Sequence, residues 1–485
     1  MDTSAPRTSP STPPASAAHI TPEGGSLRRT LKSRHLTMIA MGGAIGTGLF
    51  VASGNTIATA GPGGALAAYV AIGFMVFLLM QSLGEMSTYL PVSGAFEEYS
   101  TRFVSPSFGF AIGWNYWYNW AITVAAELVA AALIMRYWLP DVPSWIWSAI
   151  FLALLFGLNA LSTRAYGESE FWFSLIKVAT VVIFLVLGVL MIVGILGGSS
   201  PGFHNWTDGE APFVGGGAGI LAIFMVAGFS FQGTELVGVA AGEAKNPEKV
   251  LPKAINTVPI RILLFYVLTM AVIMALVPWN QVDGKASPFV QIFEGLGVPF
   301  APHLLNFVVL TAAVSAINAC IYASGRLLYA MAHDGQAPRA FTHTNRGGVP
   351  WLSVAVMLGV MVLGAVLITV DPNAFSLVAG VASFAVVLTW AMIFLSHRAM
   401  RRRVAEQGAE PSPFPMPLGG VGTYLGLAFV ATVVITMATI PDSRQALIIG
   451  LVWVAVLTLA WFVTGTRTSA AAHDRTGTLP VVRTR

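Results

Sequence analysis

The chain has little charge and almost no cysteine. Of its 485 residues only 10% are charged and 55% are hydrophobic, and the mean hydropathy is +0.72. This balance lies outside the range of soluble globular proteins and indicates an integral membrane protein. The single cysteine, Cys320, excludes an internal disulfide framework and a clustered-cysteine metal site. No redox chemistry is suggested. We expect no cofactor and no metal.

The sequence also lacks an apolar leader and long polar segments. Residues 1–26 are rich in Ser, Pro, Thr and Ala, so we expect a disordered cytoplasmic tail there and not a signal peptide. Residues 466–485 are expected to form a second cytoplasmic tail. The loops between apolar segments are too short to form a separate soluble domain. Function is therefore expected between the helices.

About twelve apolar segments approach the roughly 20 residues that a helix needs to cross a bilayer core about 30 Å thick. We predict an all-α integral membrane protein in which these segments are spans 1 to 12. They lie at 36–60, 64–90, 108–139, 145–163, 171–197, 213–242, 257–278, 303–331, 352–370, 374–396, 418–440 and 446–464.

The basic residues are distributed asymmetrically. If both termini are cytoplasmic, most of the 26 lysines and arginines fall on the cytoplasmic side, including the clusters at 28–34 and 398–403. The formal net charge of +4 then reflects topology and contact with anionic membrane lipid, and not binding to nucleic acid. The sequence indicates no particular oligomeric state.

Two spans contain glycine-rich interruptions. Span 1 includes "GGAIGTG" (42–48), and span 6 includes "AGFSFQGTELVG" (227–238). These glycines are either small-residue contacts for close helix packing or breaks in the helices. The second segment lies five spans after the first, and because five is an odd number, the second set of five would be inserted upside down relative to the first. Paired interrupted helices in inverted halves mark the substrate site of secondary transporters, which favours the breaks.

A break at mid-membrane has a defined chemistry. Irregular backbone is tolerated there only where it is buried in protein or lines a cavity. The start of the second half-helix presents N–H groups to a carboxylate, and the end of the first presents carbonyls to an ammonium group. A zwitterionic amino acid needs both.

Long motifs in the sequence resemble the amino acid permeases of the amino acid-polyamine-organocation superfamily. They include "LKSRHLTMIAMGGAIGTGLFVASG", "GEMSTYLPVSGAF", "GWNYWYNWAIT", "EFWFSLIKV", "FSFQGTELVGVAAGEAKNP" and "YASGRLLYAMAHDGQAPRAF". The resemblance covers residues from about 30 to 465. Within the family, the sequence is most similar to bacterial lysine-specific permeases. Permeases for GABA, aromatic amino acids and asparagine share much of the same framework. The resemblance implies a location in the bacterial inner membrane.

The resemblance implies a leucine-transporter-like fold with two inverted five-helix repeats. These would be about 36–197 and 213–396, with discontinuous spans 1 and 6, followed by two extra helices at about 418–464. The substrate carboxylate would meet N–H groups at Ile45, Gly46, Thr47 and Gly48. The ammonium would meet carbonyls near Ala44 and along Phe229, Ser230 and Phe231, and Phe229 matches an aromatic gate.

Two glutamates within the spans have open roles, since a charge in hydrocarbon costs several kcal/mol unless it is paired or hydrated. Glu85 in span 2 either reaches the membrane surface or pairs with a neighbouring helix. Glu127 shares one polar arc of span 3 with Tyr116, Trp120 and Thr123. It either pairs with the distal amine of a lysine substrate or is satisfied by neighbouring hydroxyls and amides.

Lys177 and Glu235 also have two interpretations each. Lys177 lies only about seven residues into predicted span 5, where it either reaches the cytoplasmic surface or binds and releases the coupling proton. In proton-driven relatives, the matching lysine occupies the position that a sodium ion has in sodium-coupled relatives. A buried lysine can release its proton near neutral pH. Glu235 follows the span 6 break and either supports the unwound segment or contacts substrate or proton.

The paired breaks and the resemblance together predict a secondary transporter that imports an L-amino acid, with lysine or another basic amino acid favoured, by proton symport and alternating access. We expect a proton as the coupling ion. Import of GABA, aromatic or other neutral amino acids is the alternative. An enzyme is not expected, because the sequence has no HExxH motif, no Asp-rich diphosphate motif and no histidine clearly within a span. A channel and a nutrient sensor are further alternatives. Saturation of the flux with substrate would distinguish a carrier from a channel.

Overall fold

The computed structural model describes residues 34, 38, 45–90, 96–161, 163–196, 200, 202–239, 247–282, 287–295, 300–345, 347–370 and 374–464. Within these residues all regular secondary structure is helical. The two predicted tails and Ala44 lie outside this part of the chain.

The first half of the molecule contains five helices after a short π-helical turn at Gly48–Ala52. They are α1 (Ser53–Tyr89), α2 (Phe96–Phe103), α3 (Pro106–Met135), α4 (Ser144–Leu161) and α5 (Thr163–Ile192). Helix α1 is interrupted at Gly61, whose φ of 69° and ψ of 179° are not helical, and Pro62 follows. This turn separates predicted spans 1 and 2, and glycine supplies the positive φ without a steric penalty.

The second half is more fragmented, because its first span is broken. The helices are α6 (Gly216–Phe229), α7 (Leu236–Val239), α8 (Pro247–Asn256), α9 (Val258–Arg261), a π-helical segment (Ile262–Leu268), α10 (Thr269–Leu276), α11 (Pro288–Gly295), α12 (Ala301–His333), α13 (Trp351–Val370), α14 (Ala374–Glu406), α15 (Gly420–Thr439) and α16 (Pro441–Val463). Three 3-10 turns accompany them at His204–Trp206, Trp279–Gln281 and Arg339–Thr342.

Every predicted span overlaps helical structure. Among the described residues, 8 helices are long and apolar enough to cross a membrane, and three shorter apolar helices correspond to predicted spans 4, 6 and 9. Helix α1 supplies the end of span 1 and all of span 2. The predicted all-α membrane fold with about twelve helices is confirmed. The division into repeats and tails stays a prediction.

Helix α3 lies at the centre of the packing. It packs against α12, α13 and α14, while α1 packs against α6. The last helix, α16, exposes large apolar residues such as Leu451 and Leu459, which is the surface expected of a helix that faces lipid. By contrast, polar side chains in the middle of α3, α5 and α12, such as Asn119, Lys177 and Ser315, are buried within the protein.

Two helix boundaries differ clearly from their predictions. Helix α14 ends at Glu406, ten residues after the end of predicted span 10. Helix α5 begins at Thr163, eight residues before predicted span 5, so Lys177 lies near its middle and not about seven residues from its start. The residues before "FWF" are polar, which made them resemble a loop. Tyr166 and Glu170 nevertheless are buried against protein, where polar side chains are compatible with a membrane-spanning helix.

Three short helices, α2, α8 and α11, occupy segments that the sequence predicted as loops. Helix α2 carries part of an acidic cluster with the end of α12. Glu97 accepts hydrogen bonds from Thr101 (2.9 Å) and from the Gln336 amide (2.8 Å), and Glu98 pairs with Arg102. Burial, followed by the charge of Glu98, raises the pKa of Asp334 to about 7.

Candidate functional site

The described residues depart from helical geometry at both predicted helix breaks. The chain is not helical at Ile45 and Gly46, and the helical structure starts with the next residues. In the second half, α6 ends at Phe229, and turns lead to the start of α7 at Leu236. Gly233 has a φ of 94°, a left-handed conformation that favours glycine. Span 6 is therefore discontinuous, as predicted, and the described part of span 1 begins with non-helical residues at the predicted break.

The two breaks touch each other at Gly48 and Ser230. A Cβ atom on Gly48 would lie 2.6 Å from the Ser230 Cα, so only glycine permits this approach. The Ser230 hydroxyl donates to the Gly48 carbonyl (2.9 Å) and accepts from the Tyr69 hydroxyl (3.0 Å). The Tyr266 hydroxyl donates to the Ser230 carbonyl at 2.8 Å. Ser230 thus connects the two breaks by a hydrogen bond and is itself hydrogen-bonded to two tyrosines.

A small cavity lies beside this contact. The volume that the centre of a water molecule can occupy in it is about 30 Å³. One water molecule needs roughly 10–15 Å³ of such volume. The cavity is therefore too small for an amino acid and has to enlarge to admit one. The residues that line it are Gly46, Gly48, Trp120, Thr123, Glu127, Phe229, Ser230, Gln232, Leu236, Ala316 and Ala319.

Glu127 lies on the cavity wall and is joined to the first break. The Thr47 hydroxyl donates to Glu127 Oε1 at 2.6 Å. Glu127 is buried, and its Oε2 has no hydrogen-bond partner within the described part of the chain. One oxygen of the carboxylate is therefore fixed, while the other is available to a donor that enters the cavity.

Lys177 lies nearby in a polar network between α5 and α12. Its ammonium group donates to the Ser315 hydroxyl at 2.9 Å and lies 4.0 Å from Glu170 Oε1. Lys177 is only 1% exposed, so it does not extend to the membrane surface. This removes the first of the two interpretations of the residue.

The predicted site residues fall into three groups. Those that line the cavity are Gly46, Gly48, Glu127, Phe229 and Ser230, while Ile45 and Thr47 belong to the same break. Tyr116, Phe231 and Glu235 are buried but do not line it. Phe231 stacks on Tyr266, with ring centroids 4.1 Å apart, and the Tyr116 hydroxyl donates to Glu235 Oε1 at 3.4 Å. The ligand contacts predicted for all these residues stay predictions.

The polar arc predicted on span 3 is borne out in part, since Trp120, Thr123 and Glu127 all line the cavity. Sequence reasoning missed Gln232, whose amide donates to Asn119 (3.1 Å) and Thr123 (3.0 Å). Its place in the "SFQG" break was a usable signal. It also missed Leu236, Ala316 and Ala319, because apolar residues within apolar spans carry no such signal.

Glu85 lies outside the site, and its carboxylate is hydrogen-bonded to protein groups. It accepts hydrogen bonds from His397 Nε2 (3.0 Å), Arg401 (3.1 Å) and the Met416 backbone N–H (2.7 Å). Pairing with a neighbouring helix, one of the two interpretations, is therefore the one observed. The sequence reading recognised no histidine within a span, but the His397 side chain is fully buried on α14.

Comparisons with known proteins agree with this geometry. The family model described as "Amino acid permease" matches residues 35–471. The chain belongs to the amino acid permease family. The permease is 48% identical over 435 residues to the lysine-specific permease LysP of Escherichia coli (strain K12). The aligned residues cover 86% of this chain and 87% of the relative.

Two further relatives come from Lactococcus lactis subsp. cremoris (strain MG1363). Its lysine-specific permease LysP is 47% identical over 445 residues, with 88% of this chain and 86% of the relative covered. Its histidine permease HisP is 43% identical over 397 residues, with 80% and 83% covered. The permease is accordingly a multi-pass membrane transporter of amino acids and not an enzyme.

Proposed function

We propose that the permease imports lysine, or another basic amino acid, across the bacterial inner membrane together with a proton. Both termini would be cytoplasmic, and the substrate would bind at the two helix breaks. The names of the two LysP relatives support this choice of substrate. The histidine permease among the relatives shows that the family framework also serves other side chains.

The observation that carries the proposal is the environment of Glu127. Lys177 has Glu170 as its nearby carboxylate, whereas no ion pair of Glu127 or Glu235 is found among the described residues. A cationic substrate brings one positive charge more than a zwitterion. A carboxylate on the cavity wall with one unpaired oxygen supplies the opposite charge. Pairing with the distal ammonium is thereby favoured over a purely structural role.

The backbone of the two breaks would bind the part shared by all amino acids. N–H groups at Ile45, Gly46, Thr47 and Gly48 would meet the carboxylate, and carbonyls of Ala44, Phe229, Ser230 and Phe231 would meet the α-ammonium. The Ser230 carbonyl already accepts from Tyr266, but a carbonyl oxygen has a second lone pair. Selectivity for the side chain would come from Glu127, Trp120 and Gln232.

Transport would proceed by alternating access. The cavity of about 30 Å³ cannot hold an amino acid, so binding requires the breaks to separate from α3 and α12. Phe229, at the end of α6, would close over the bound substrate. Lys177 would bias this equilibrium, because a proton shifts a conformational equilibrium only through unequal affinity for the two states.

Uptake into proteoliposomes tests the proposal. Purified permease is supplied with a panel of labelled basic, neutral, aromatic and GABA-like substrates, with and without an imposed pH gradient. Accumulation of a basic amino acid that a proton ionophore abolishes is the expected result. Accumulation of neutral substrates alone would exclude the lysine assignment. Accumulation that depends on sodium and ignores the ionophore would exclude proton symport.

A further inference from the structure

Glu170 is a buried carboxylate that the binding site does not use. It lies on α5, seven residues before Lys177, so the two side chains are on the same helix face. It is 0% exposed. A lysine side chain on a helix points back towards the helix N-terminus, which brings its ammonium group down to Glu170. The two residues thus form a buried pair within one helix.

Ser315 of α12 connects this pair by a continuous line of hydrogen bonds. Lys177 Nζ donates to Ser315 Oγ at 2.9 Å, and Ser315 Oγ donates to Glu170 Oε1 at 2.7 Å. Both distances lie within the range of about 2.6–3.2 Å that proton transfer requires. Because an ammonium group only donates and a carboxylate only accepts, the serine hydrogen has to point towards Glu170.

The Glu170 carboxylate is held in place by further donors. Asn318 donates to Oε2 at 3.3 Å, and Ser174 donates to Oε1 at 3.2 Å. Asn159 of α4 donates to the Asn318 side-chain oxygen at 2.7 Å and fixes that amide. The network therefore involves three helices, and it orients the carboxylate towards Ser315.

Other titratable groups face the pair from the neighbouring helices. Glu127 of α3 lies close enough to act electrostatically on Lys177, and Cys320 of α12 lies near both carboxylates. Towards the start of α5, Tyr166 stacks on Tyr322 with ring centroids 3.8 Å apart, and Arg326 lies over the Tyr322 ring. This end of α5 is the one that the distribution of basic residues assigns to the cytoplasm.

We propose that Glu170 takes the coupling proton from Lys177 through Ser315 and delivers it towards the cytoplasm. An N–H bond of the Lys177 ammonium breaks as an O–H bond forms on Ser315, whose own proton moves to Glu170. An ammonium and a carboxylate thereby become an amine and a carboxylic acid, so total charge is conserved. The inference rests on the proposed proton symport and adds a proton-transfer residue to it.

The physical advantage of the arrangement is that proton transfer from Lys177 to Glu170 leaves the total charge of the pair unchanged. A lysine that released its proton directly would leave Glu170 as an unpaired buried charge, which is strongly destabilising. Transfer within the pair avoids that state. Only the second step, in which Glu170 loses the proton towards the cytoplasm, changes the charge of the network.

Two assays on one preparation test the assignment. Accumulation driven by a pH gradient requires net proton release, whereas counterflow exchange of lysine for lysine does not. For Glu170→Gln and for Ser315→Ala we expect accumulation to fall at least ~10-fold, with a far smaller decrease in counterflow. Ser315→Thr keeps the hydroxyl and should restore most of the accumulation.

Ser174→Ala is the matched control, because Ser174 donates to the same carboxylate oxygen without contacting Lys177 in the described network. Because Asn318 still donates to the carboxylate, Ser174→Ala should lower accumulation far less than Ser315→Ala does. Normal accumulation by Glu170→Gln, or equal losses of counterflow and accumulation, would overturn the relay and leave a structural ion pair. Equal effects of Ser315→Ala and Ser174→Ala would do the same. Wild-type permease without gradient-driven accumulation would instead refute the proposed symport, and the relay with it.

Discussion

The Thr47 hydroxyl donates a hydrogen bond of 2.6 Å to Glu127, which joins the first helix break to the middle of α3. A hydrogen bond to an ionised group is short and roughly twice as strong as a neutral one. Any movement that separates span 1 from α3 has to break this bond or carry Glu127 with it. The side chain proposed to recognise the substrate is therefore also coupled to the break.

Glu127→Gln should weaken lysine transport selectively. The substitution removes the negative charge and keeps the size, so a charged hydrogen bond worth roughly 1.5–3 kcal/mol is lost. The apparent KM for lysine should rise about 10- to 100-fold, while the inhibition constant of a neutral amino acid changes little. Glu127→Asp, which keeps the charge, should give an intermediate KM. Equal effects on lysine and on the neutral competitor would assign Glu127 to structure.

Gly48→Ala should abolish uptake. Its Cβ would lie 2.6 Å from the backbone of Ser230, so the two breaks would have to separate, and such overpacking costs about 1–3 kcal/mol. Gly228→Ala is the control in α6, because a Cβ there meets nothing within 4 Å. Lysine uptake and thermal unfolding in detergent are measured for both. Uptake by Gly48→Ala at the level of Gly228→Ala would contradict the contact.

Glu85→Gln should lower stability and leave the KM for lysine unchanged. Glu85 joins α1 to His397 and Arg401 of α14, and removal of one partner from a buried ion pair costs about 3–5 kcal/mol. The Tm in detergent should fall clearly. The exposed pair of Arg402 and Glu406 is the control, and Glu406→Gln should leave Tm unchanged. A raised KM without a lower Tm would move Glu85 into the transport mechanism.

Asp334 should make the permease less stable as the pH rises. Burial and the neighbouring Glu98 raise its pKa from 3.8 to about 7, so between these values the folded state binds more protons than the unfolded state. Stability is therefore largest below about pH 4 for this group and is lost as the pH rises to about 7. Asp334→Asn should remove that loss.

The measurement is the difference in Tm between wild type and Asp334→Asn at several pH values from 5 to 8. Relative to the variant, the wild type should lose stability as the pH rises and level off above about pH 7. A difference that stays constant, or that grows in favour of the wild type, would contradict the raised pKa.

Much of the fold was predictable, because membrane helices are specified by local hydrophobicity. All predicted spans overlap helices, and the non-helical Gly61 lies between the predicted bounds of spans 1 and 2. The start of α5 was not predictable in this way. Its first residues are polar, and whether a polar helical face meets lipid or protein depends on neighbours that are distant in the sequence. For the same reason Glu170 was missed.

The site was predictable where it depends on backbone and uncertain where it depends on side chains. Glycines in corresponding positions of spans 1 and 6 indicated two breaks, and three of the four side chains on the polar arc of α3 line the cavity. Tyr116, Phe231 and Glu235 share the same segments, yet they are turned away from the cavity. Their direction follows from how the helices rotate against each other.

The sequence alone determined that this chain is a helical membrane protein with paired interruptions, because bilayer thickness and backbone hydrogen bonding leave few alternatives. Tertiary structure decided what the buried charges do. Glu85 pairs with His397 and Arg401, Glu127 with Thr47, and Lys177 contacts Ser315 and Glu170. These partners lie on different helices or across a helix turn, and only packing brings a charge and its partner together.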